Sequence, residues 1–122
     1  MPDESWSSVK VTWLDREGAR DAVRTAARRL IAERPEVERV VLFGSLARGD
    51  AVPGSDADVL VVAPSDRPWP ERSDLYAEYF RQQEVGVDVF VYTPEELAAM
   101  GQRPGIVRTA LEEGIVLADR AM

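Results

Sequence analysis

The chain has 122 residues, of which 45% are hydrophobic and 30% charged, a composition typical of a soluble globular protein. This length predicts a single domain over residues 1–122 with one core. Because the chain has no cysteine and no histidine, disulfides, thiolate zinc sites, thiol catalysis and imidazole bases are excluded. A formal net charge of −7 argues against broad nonspecific binding of nucleic acid, although it leaves room for a nucleotide pocket.

The first half of the chain begins with a predicted strand over residues 9–13, where apolar and polar side chains alternate. Residues 16–34 carry apolar side chains at helical spacing and predict a helix with an arginine-rich outer face. Asp15 is its expected N-cap, and Pro35 follows its end. The β-branched run over 37–43 then predicts a strand buried on both sides.

The second half of the chain alternates apolar strands with helical patterns. Residues 56–63 predict a second buried strand, and residues 85–93 predict a third apolar strand that contains Asp88. Residues 75–83 between them predict a helix that packs through aromatic side chains. Thr93, followed by Pro94 and Glu96, predicts the start of another helix through a capping box.

The last part of the chain predicts a short helix and an edge strand. The helix should turn four side chains inward and end at Gly114, and residues 115–118 should form the strand. The inward side chains are expected to be Ile106, Val107, Ala110 and Leu111. Together these elements predict an α/β domain whose mixed, twisted sheet has three main strands plus short edge strands, with helices packed mainly on one face.

Two aspartates stand at the head of the strand over 56–63. Asp56 and Asp58 share one face, because side chains two residues apart in a strand point to the same side. Asp88 lies in another apolar strand and faces this pair if the two strands are neighbours. Three carboxylates at close range repel one another unless a cation lies between them. Mg²⁺ prefers oxygen ligands and leaves coordination positions for substrate phosphates, so these residues are candidate magnesium ligands.

A glycine and a serine follow the strand over 37–43 directly. Gly44 allows a ligand to approach the backbone closely, and Ser45 can donate a hydroxyl hydrogen bond, so both are candidate phosphate-binding residues. Arg48 could contact a phosphate, or it could be a surface ion-pair partner. Ser55 could hydrogen-bond to Asp56 and support nucleotide binding, or it could simply form a turn.

Gly44-Ser45, ten intervening residues, Asp56-x-Asp58 and a later aspartate in a strand resemble the nucleotidyltransferase signature of the DNA polymerase β-like superfamily. The segment GSLARGDAVPGSDADVLVV is similar to the minimal nucleotidyltransferases, which are often encoded beside a HEPN-domain toxin as its antitoxin. The resemblance covers at least residues 37–92, and the alanine at position 57 is smaller than the family pattern suggests. It implies the polymerase β-like fold.

The resemblance also implies roles for individual residues. Asp56 and Asp58 would bind two metal ions, Mg²⁺ or alternatively Mn²⁺, and Asp88 would join one of them and help to activate the acceptor. Ser45 and the backbone of Gly44 would hold the nucleotide triphosphate. The implied reaction transfers a nucleoside monophosphate, AMP from ATP, to a hydroxyl group with pyrophosphate as the leaving group.

The acceptor and the biological role are open at this level. The family-based hypothesis is a protein adenylyltransferase, an antitoxin that modifies the hydroxyl of a HEPN-type toxin. One alternative is a non-catalytic antitoxin that neutralises its partner by binding it, and another is an adenylyltransferase for an aminoglycoside-like small molecule. We expect a cytoplasmic location and no membrane insertion, because no apolar run approaches the roughly 18 to 20 residues that span a bilayer and no signal segment stands at the N-terminus. The pattern selects neither a base, the number of nucleotides transferred, nor a homo- or hetero-oligomer.

Overall fold

The computed structural model describes residues 15–83 and 85–121, so the strand predicted over residues 9–13 lies outside the described residues. Five helices, two 3₁₀ segments and four strands make up this part of the chain. In chain order they are α1 (Arg16–Glu33), β1 (Arg39–Phe43), α2 (Ser45–Arg48), β2 (Ala57–Val62), α3 (Trp69–Arg72), the 3₁₀ segments Ser73–Leu75 and Ala77–Phe80, β3 (Val87–Tyr92), α4 (Pro94–Met100), α5 (Ile106–Glu113) and β4 (Ile115–Asp119).

The four strands form one mixed sheet in the order β3-β2-β1-β4. β1 runs antiparallel to both β2 and β4, whereas β2 and β3 are parallel. A parallel pair needs a crossover, and the segment with α3 and the two 3₁₀ segments supplies it. The predicted α/β fold class and the edge position of the last strand are confirmed.

The larger core lies on one face of the sheet, between the strands and α1. Every second residue of β1 and β2 points to this face, as strand periodicity requires. α1 buries one stripe of small and branched side chains against them. The buried residues of this face include Ala19, Val23, Ala27 and Leu30 of α1, Val40 and Leu42 of β1, and Ala57, Val59 and Val61 of β2.

A second, smaller core lies on the opposite face, where α4 and α5 cover the middle of the sheet. It contains Val41, Phe43, Leu60, Val62, Tyr92, Val107 and Ala110. β1 and β2 are therefore buried on both sides, as their continuous apolar runs predicted. α1, α2 and the second 3₁₀ segment thus pack on the larger core, and α4 and α5 form a second layer on the opposite face.

Helix α5 contacts the sheet through a narrower stripe than the sequence predicted. Val107 and Ala110 are buried, but Ile106 is 40% exposed and Leu111 44% exposed. In an eight-residue helix, residues 106 and 111 flank the contact stripe on either side, so the expectation that all four residues point inward was wrong for these two.

The helix predicted over residues 75–83 is also not formed. The first 3₁₀ segment ends at residue 75, the second covers residues 77–80, and Tyr76 interrupts them. Tyr76 and Phe80 are buried as expected, and the Tyr76 hydroxyl donates to Glu36 at 2.9 Å. The periodicity identified the packing side chains correctly. The backbone, however, is wound more tightly than the predicted α-helix, and Tyr76 is bonded to a residue outside the segment.

Polar contacts fix the ends of the helices. Asp15 accepts a hydrogen bond from the Gly18 amide at 2.9 Å, and Thr93 and Glu96 form the predicted capping box. The guanidinium of Arg120 donates to the carbonyls of Ile31, Arg34 and Val37, so it covers the C-terminal end of α1.

No helix in the described ranges is long and apolar enough to cross a membrane.

A largely buried arginine joins the crossover segment to α4. Arg72 is 8% exposed, and its guanidinium donates to Glu96 at 2.6 Å and to the carbonyl of Arg67 at 3.0 Å. The guanidinium of Arg72 lowers the pKa of Glu96, and the amide of Thr93 assists. This ion pair lies away from the aspartates, at the end of the sheet where β2 and β3 finish.

Candidate functional site

The predicted acidic residues lie at the end of the sheet where β1 finishes and the parallel pair β2 and β3 begins. The register places Asp58 directly opposite Asp88, and the amide of Ala57 donates to the carbonyl of Gly86 at 2.7 Å. Asp56 is therefore level with Gly86. The expectation that Asp88 lies on a strand beside the pair is met. We call Asp56, Asp58 and Asp88 the carboxylate site.

Gly44 connects the carboxylate site to the end of β1. Its backbone has φ +81° and ψ −159°, a conformation that is essentially restricted to glycine. A Cβ at this position would overlap Oδ2 of Asp58, since Phe43 pairs with Asp58 across the antiparallel strands. The group that closely approaches Gly44 is thus a site carboxylate. The expected approach of a ligand to the Gly44 backbone stays a prediction.

The electrostatics of the site disfavour three bare negative charges. Asp58 is half-buried, and burial raises the pKa of its carboxyl group; the charges of Asp88 and Asp56 raise this pKa further. The positive charge of Arg48 opposes the increase. The site therefore gains from any bound cation that offsets the repulsion among its carboxylates.

The donor chemistry of the site fits a hard divalent cation. All three side chains offer carboxylate oxygens, which Mg²⁺ prefers. Within residues 15–83 and 85–121, however, no three acidic side chains already surround a common point as metal ligands would. Asp56 and Asp88 are exposed, so their side chains can change rotamer without disturbing the core. Asp56, Asp58 and Asp88 are the residues that would hold the ion.

Ser45 and Arg48 are the first and last residues of α2, which begins directly after Gly44. Ser45 is half-buried beside the carboxylate site. Arg48 donates to Asp50 at 3.3 Å and to Glu113 at 3.0 Å, and both carboxylates raise the pKa of its guanidinium. Of the two interpretations of Arg48, the structure shows the ion-pair one, and its role toward a phosphate stays a prediction.

Ser55 closes the turn before β2. Its hydroxyl accepts a hydrogen bond from the amide of Val52 at 3.0 Å, and its own amide donates to the carbonyl of Val52 at 2.9 Å. The hydroxyl thus serves the turn rather than Asp56 in this conformation. A role for Ser55 in nucleotide binding also stays a prediction.

The sequence did not identify two arginines of α1 that hold the loop of the candidate site. Arg16 donates to the carbonyl of Ala51 at 2.7 Å, and Arg20 donates to the carbonyls of Leu46 and Ala47 at 2.8 and 3.4 Å. The predicted arginine-rich outer face did not anticipate this role for the two arginines, although Arg16 is exposed. Their partners lie more than twenty residues away in the chain, so no local pattern could have shown it.

The sequence comparison establishes the family of this chain. Residues 23–117 match the model of the nucleotidyltransferase domain family, so the chain belongs to that family. The match confirms the family resemblance found in the signature around Gly44, Asp56 and Asp58. No curated protein sequence matches the chain.

Solved structures show the same fold. A Sulfolobus solfataricus protein assigned as a nucleotidyltransferase aligns with a TM-score of 0.64 and 21% identity, over 87% of this chain and 85% of that one. A toxin-antitoxin structure with AMP-PNP aligns with a TM-score of 0.56 and 20% identity, over 79% and 73%. A complex of the tri-AMPylated Shewanella oneidensis HEPN toxin with an MNT antitoxin aligns with a TM-score of 0.50 and 16% identity, over 88% and 75%.

Proposed function

We propose that this protein transfers AMP from ATP to a hydroxyl group of a protein partner, and that the partner is a HEPN-type toxin which it neutralises as an antitoxin. The family match supports nucleotidyl transfer in general. The observation that carries the proposal is the register that brings Asp58 and Asp88 side by side on neighbouring strands, with Asp56 on the same face and Gly44 against Asp58.

The carboxylate site is suited to hold divalent metal ions at the reacting phosphate. Two such ions would stabilise the attacking and leaving oxygens of an in-line displacement at the α-phosphorus. The chain contributes the charge and the placement of the ligands, because Asp58 is half-buried beside Gly44 while Asp56 and Asp88 are exposed. Asp88 is the group we assign to orienting the acceptor hydroxyl.

The triphosphate would lie on the other side of the site, at the turn from β1 into α2. The hydroxyl of Ser45 can donate to a phosphate oxygen there, whereas the backbone of Gly44 is buried beside the carboxylate of Asp58. Arg48 would assist only after leaving Asp50 and Glu113, which now bind its guanidinium. Ser55 contributes indirectly, because it closes the turn that leads to Asp56.

The choice of a protein acceptor is supported by the structural neighbours. Two of them are toxin-antitoxin structures, one containing AMP-PNP and the other a tri-AMPylated HEPN toxin with an MNT antitoxin. The described domain also offers exposed apolar side chains to a partner, among them Ile106, Leu111 and Val116.

The test is the intact mass of the product of the neighbouring gene after incubation with this protein, ATP and Mg²⁺. We expect a gain of one or more AMP units with the wild-type protein and none with the Asp56→Asn, Asp58→Asn double variant. Both substitutions keep the size of the side chain and remove its charge, so the fold should persist.

Controls separate transfer from binding. Size-exclusion chromatography of the same mixtures shows whether the two proteins form a complex. A stable complex that neutralises the toxin without any mass gain would replace the proposal by the non-catalytic antitoxin. A mass gain that the double variant retains would show that the carboxylate site is not where transfer occurs.

A further inference from the structure

The carboxylate site occupies three of four neighbouring positions on one face of two parallel strands. Asp58 lies on β2, and Asp56 lies just before the first residue of β2. Asp88 lies on β3 opposite Asp58. The fourth position, level with Asp56 and two residues before Asp88, is Gly86. Residues at these positions project to the same side of the sheet, so Gly86 is the only one of the four without a side chain there.

The missing side chain leaves space that a carboxylate uses. An ideal Cβ at residue 86 would lie 2.6 Å from Oδ1 and 3.4 Å from Cγ of Asp56, and these are the two heavy atoms near it. The side chain of Asp56 therefore leans from β2 toward β3, over the position of Gly86. Any larger residue at position 86 would force this carboxylate into another rotamer.

We propose that Gly86 is a positioning residue of the carboxylate site: by lacking a Cβ, it lets the Asp56 carboxylate lean over position 86 of the neighbouring strand and so sets where a divalent cation is held. The inference rests on the proposed function of the carboxylate site and adds to it a residue that touches neither substrate nor metal. The signal in the sequence is a glycine inside a strand pattern, which often marks a close approach.

The structure separates this role from a general effect on folding. The backbone of Gly86 is not left-handed, unlike that of Gly44, Gly49, Gly54 and Gly105, so alanine fits its conformation. Its Cβ would meet only the end of the exposed Asp56 side chain, which can rotate away. Replacement by alanine should thus keep the fold and move the carboxylate.

The experiment measures Mn²⁺ binding by calorimetry and urea unfolding, both on the isolated full-length protein without nucleotide. For Gly86→Ala we expect a urea midpoint equal to or above that of the wild type, and Mn²⁺ affinity weakened on the order of tenfold. The matched control is Gly105→Ala, where φ is +152° and a Cβ would meet nothing within 4 Å. This control should lower the urea midpoint and leave Mn²⁺ affinity unchanged.

The outcomes distinguish the inference from the proposed function. Unchanged Mn²⁺ affinity in Gly86→Ala, with a wild-type protein that binds Mn²⁺ and transfers AMP, would overturn the inference alone. A lower urea midpoint that accompanies the lost affinity would also overturn it, because the role would then be structural. If the wild type binds no Mn²⁺ and transfers nothing, the proposed function fails and the inference fails with it.

Discussion

Replacing Arg20 by methionine tests whether α1 fixes the loop of the candidate site. The substitution keeps the length of the side chain and removes the donors to the carbonyls of Leu46 and Ala47, at 2.8 and 3.4 Å. Hydrogen bonds from a charged group contribute about 1.5 to 3 kcal/mol each when well formed. Because Arg20 is half-buried and its second bond is long, we expect a total loss of about 2 kcal/mol of unfolding free energy.

Urea unfolding measures this loss, with Arg120→Met as the matched control. The guanidinium of Arg120 also donates to carbonyls at a helix end. These carbonyls belong to the C-terminal end of α1, whereas Arg20 and the candidate site lie near its N-terminal end. With an m-value of about 2 kcal/mol per molar, each variant should lower the urea midpoint by about 1 M. Only Arg20→Met should raise the KM for ATP, by severalfold, since only it loosens the segment with Gly44 and Ser45.

Two results would refute this reasoning. If Arg20→Met leaves the urea midpoint unchanged, its hydrogen bonds to α2 contribute nothing to stability. If both variants change the KM for ATP equally, the effect follows from general destabilisation and the loop is not held by Arg20 in particular.

Two further predictions concern ionisable groups. Because the pKa of Asp58 is raised, its ionised form destabilises the fold when the pH is above the ordinary range of aspartate pKa values. Asp58→Asn should therefore raise the urea midpoint at pH 7, and this gain should vanish as the pH falls below that range. Nucleotidyl transfer should be lost in the same variant. A midpoint that falls at pH 7 would contradict it. Arg72→Met should lower the unfolding free energy by about 2 kcal/mol, since it breaks a largely buried ion pair whose acid partner, Glu96, is partly open to water. The lowered pKa of Glu96 makes this loss greatest at neutral pH and smaller below the ordinary glutamate range, and denaturant curves at both pH values check that dependence.

The sequence predicted the elements whose signals are local. The N-cap Asp15, the capping box of Thr93 and Glu96, and the apolar runs of β1 and β2 each act within a few residues, and the structure contains all of them. The prediction of a helix over residues 75–83 was wrong, because the same aromatic spacing is compatible with 3₁₀ segments. In the 3₁₀ arrangement the Tyr76 hydroxyl donates to Glu36, which lies outside the segment.

Composition and strand periodicity were enough to predict the available ligand chemistry and one pair of neighbouring side chains. The absence of cysteine and histidine leaves carboxylates as the candidate ligands, and strand periodicity alone puts Asp56 and Asp58 on one face. Contacts that depend on the register between distant segments became known only from the packed fold. It set Asp88 opposite Asp58, Gly86 level with Asp56, and Arg48 against Glu113. Side-chain periodicity is a property of one strand, whereas the register of β2 and β3 depends on how two segments joined by a long crossover pack against a common core.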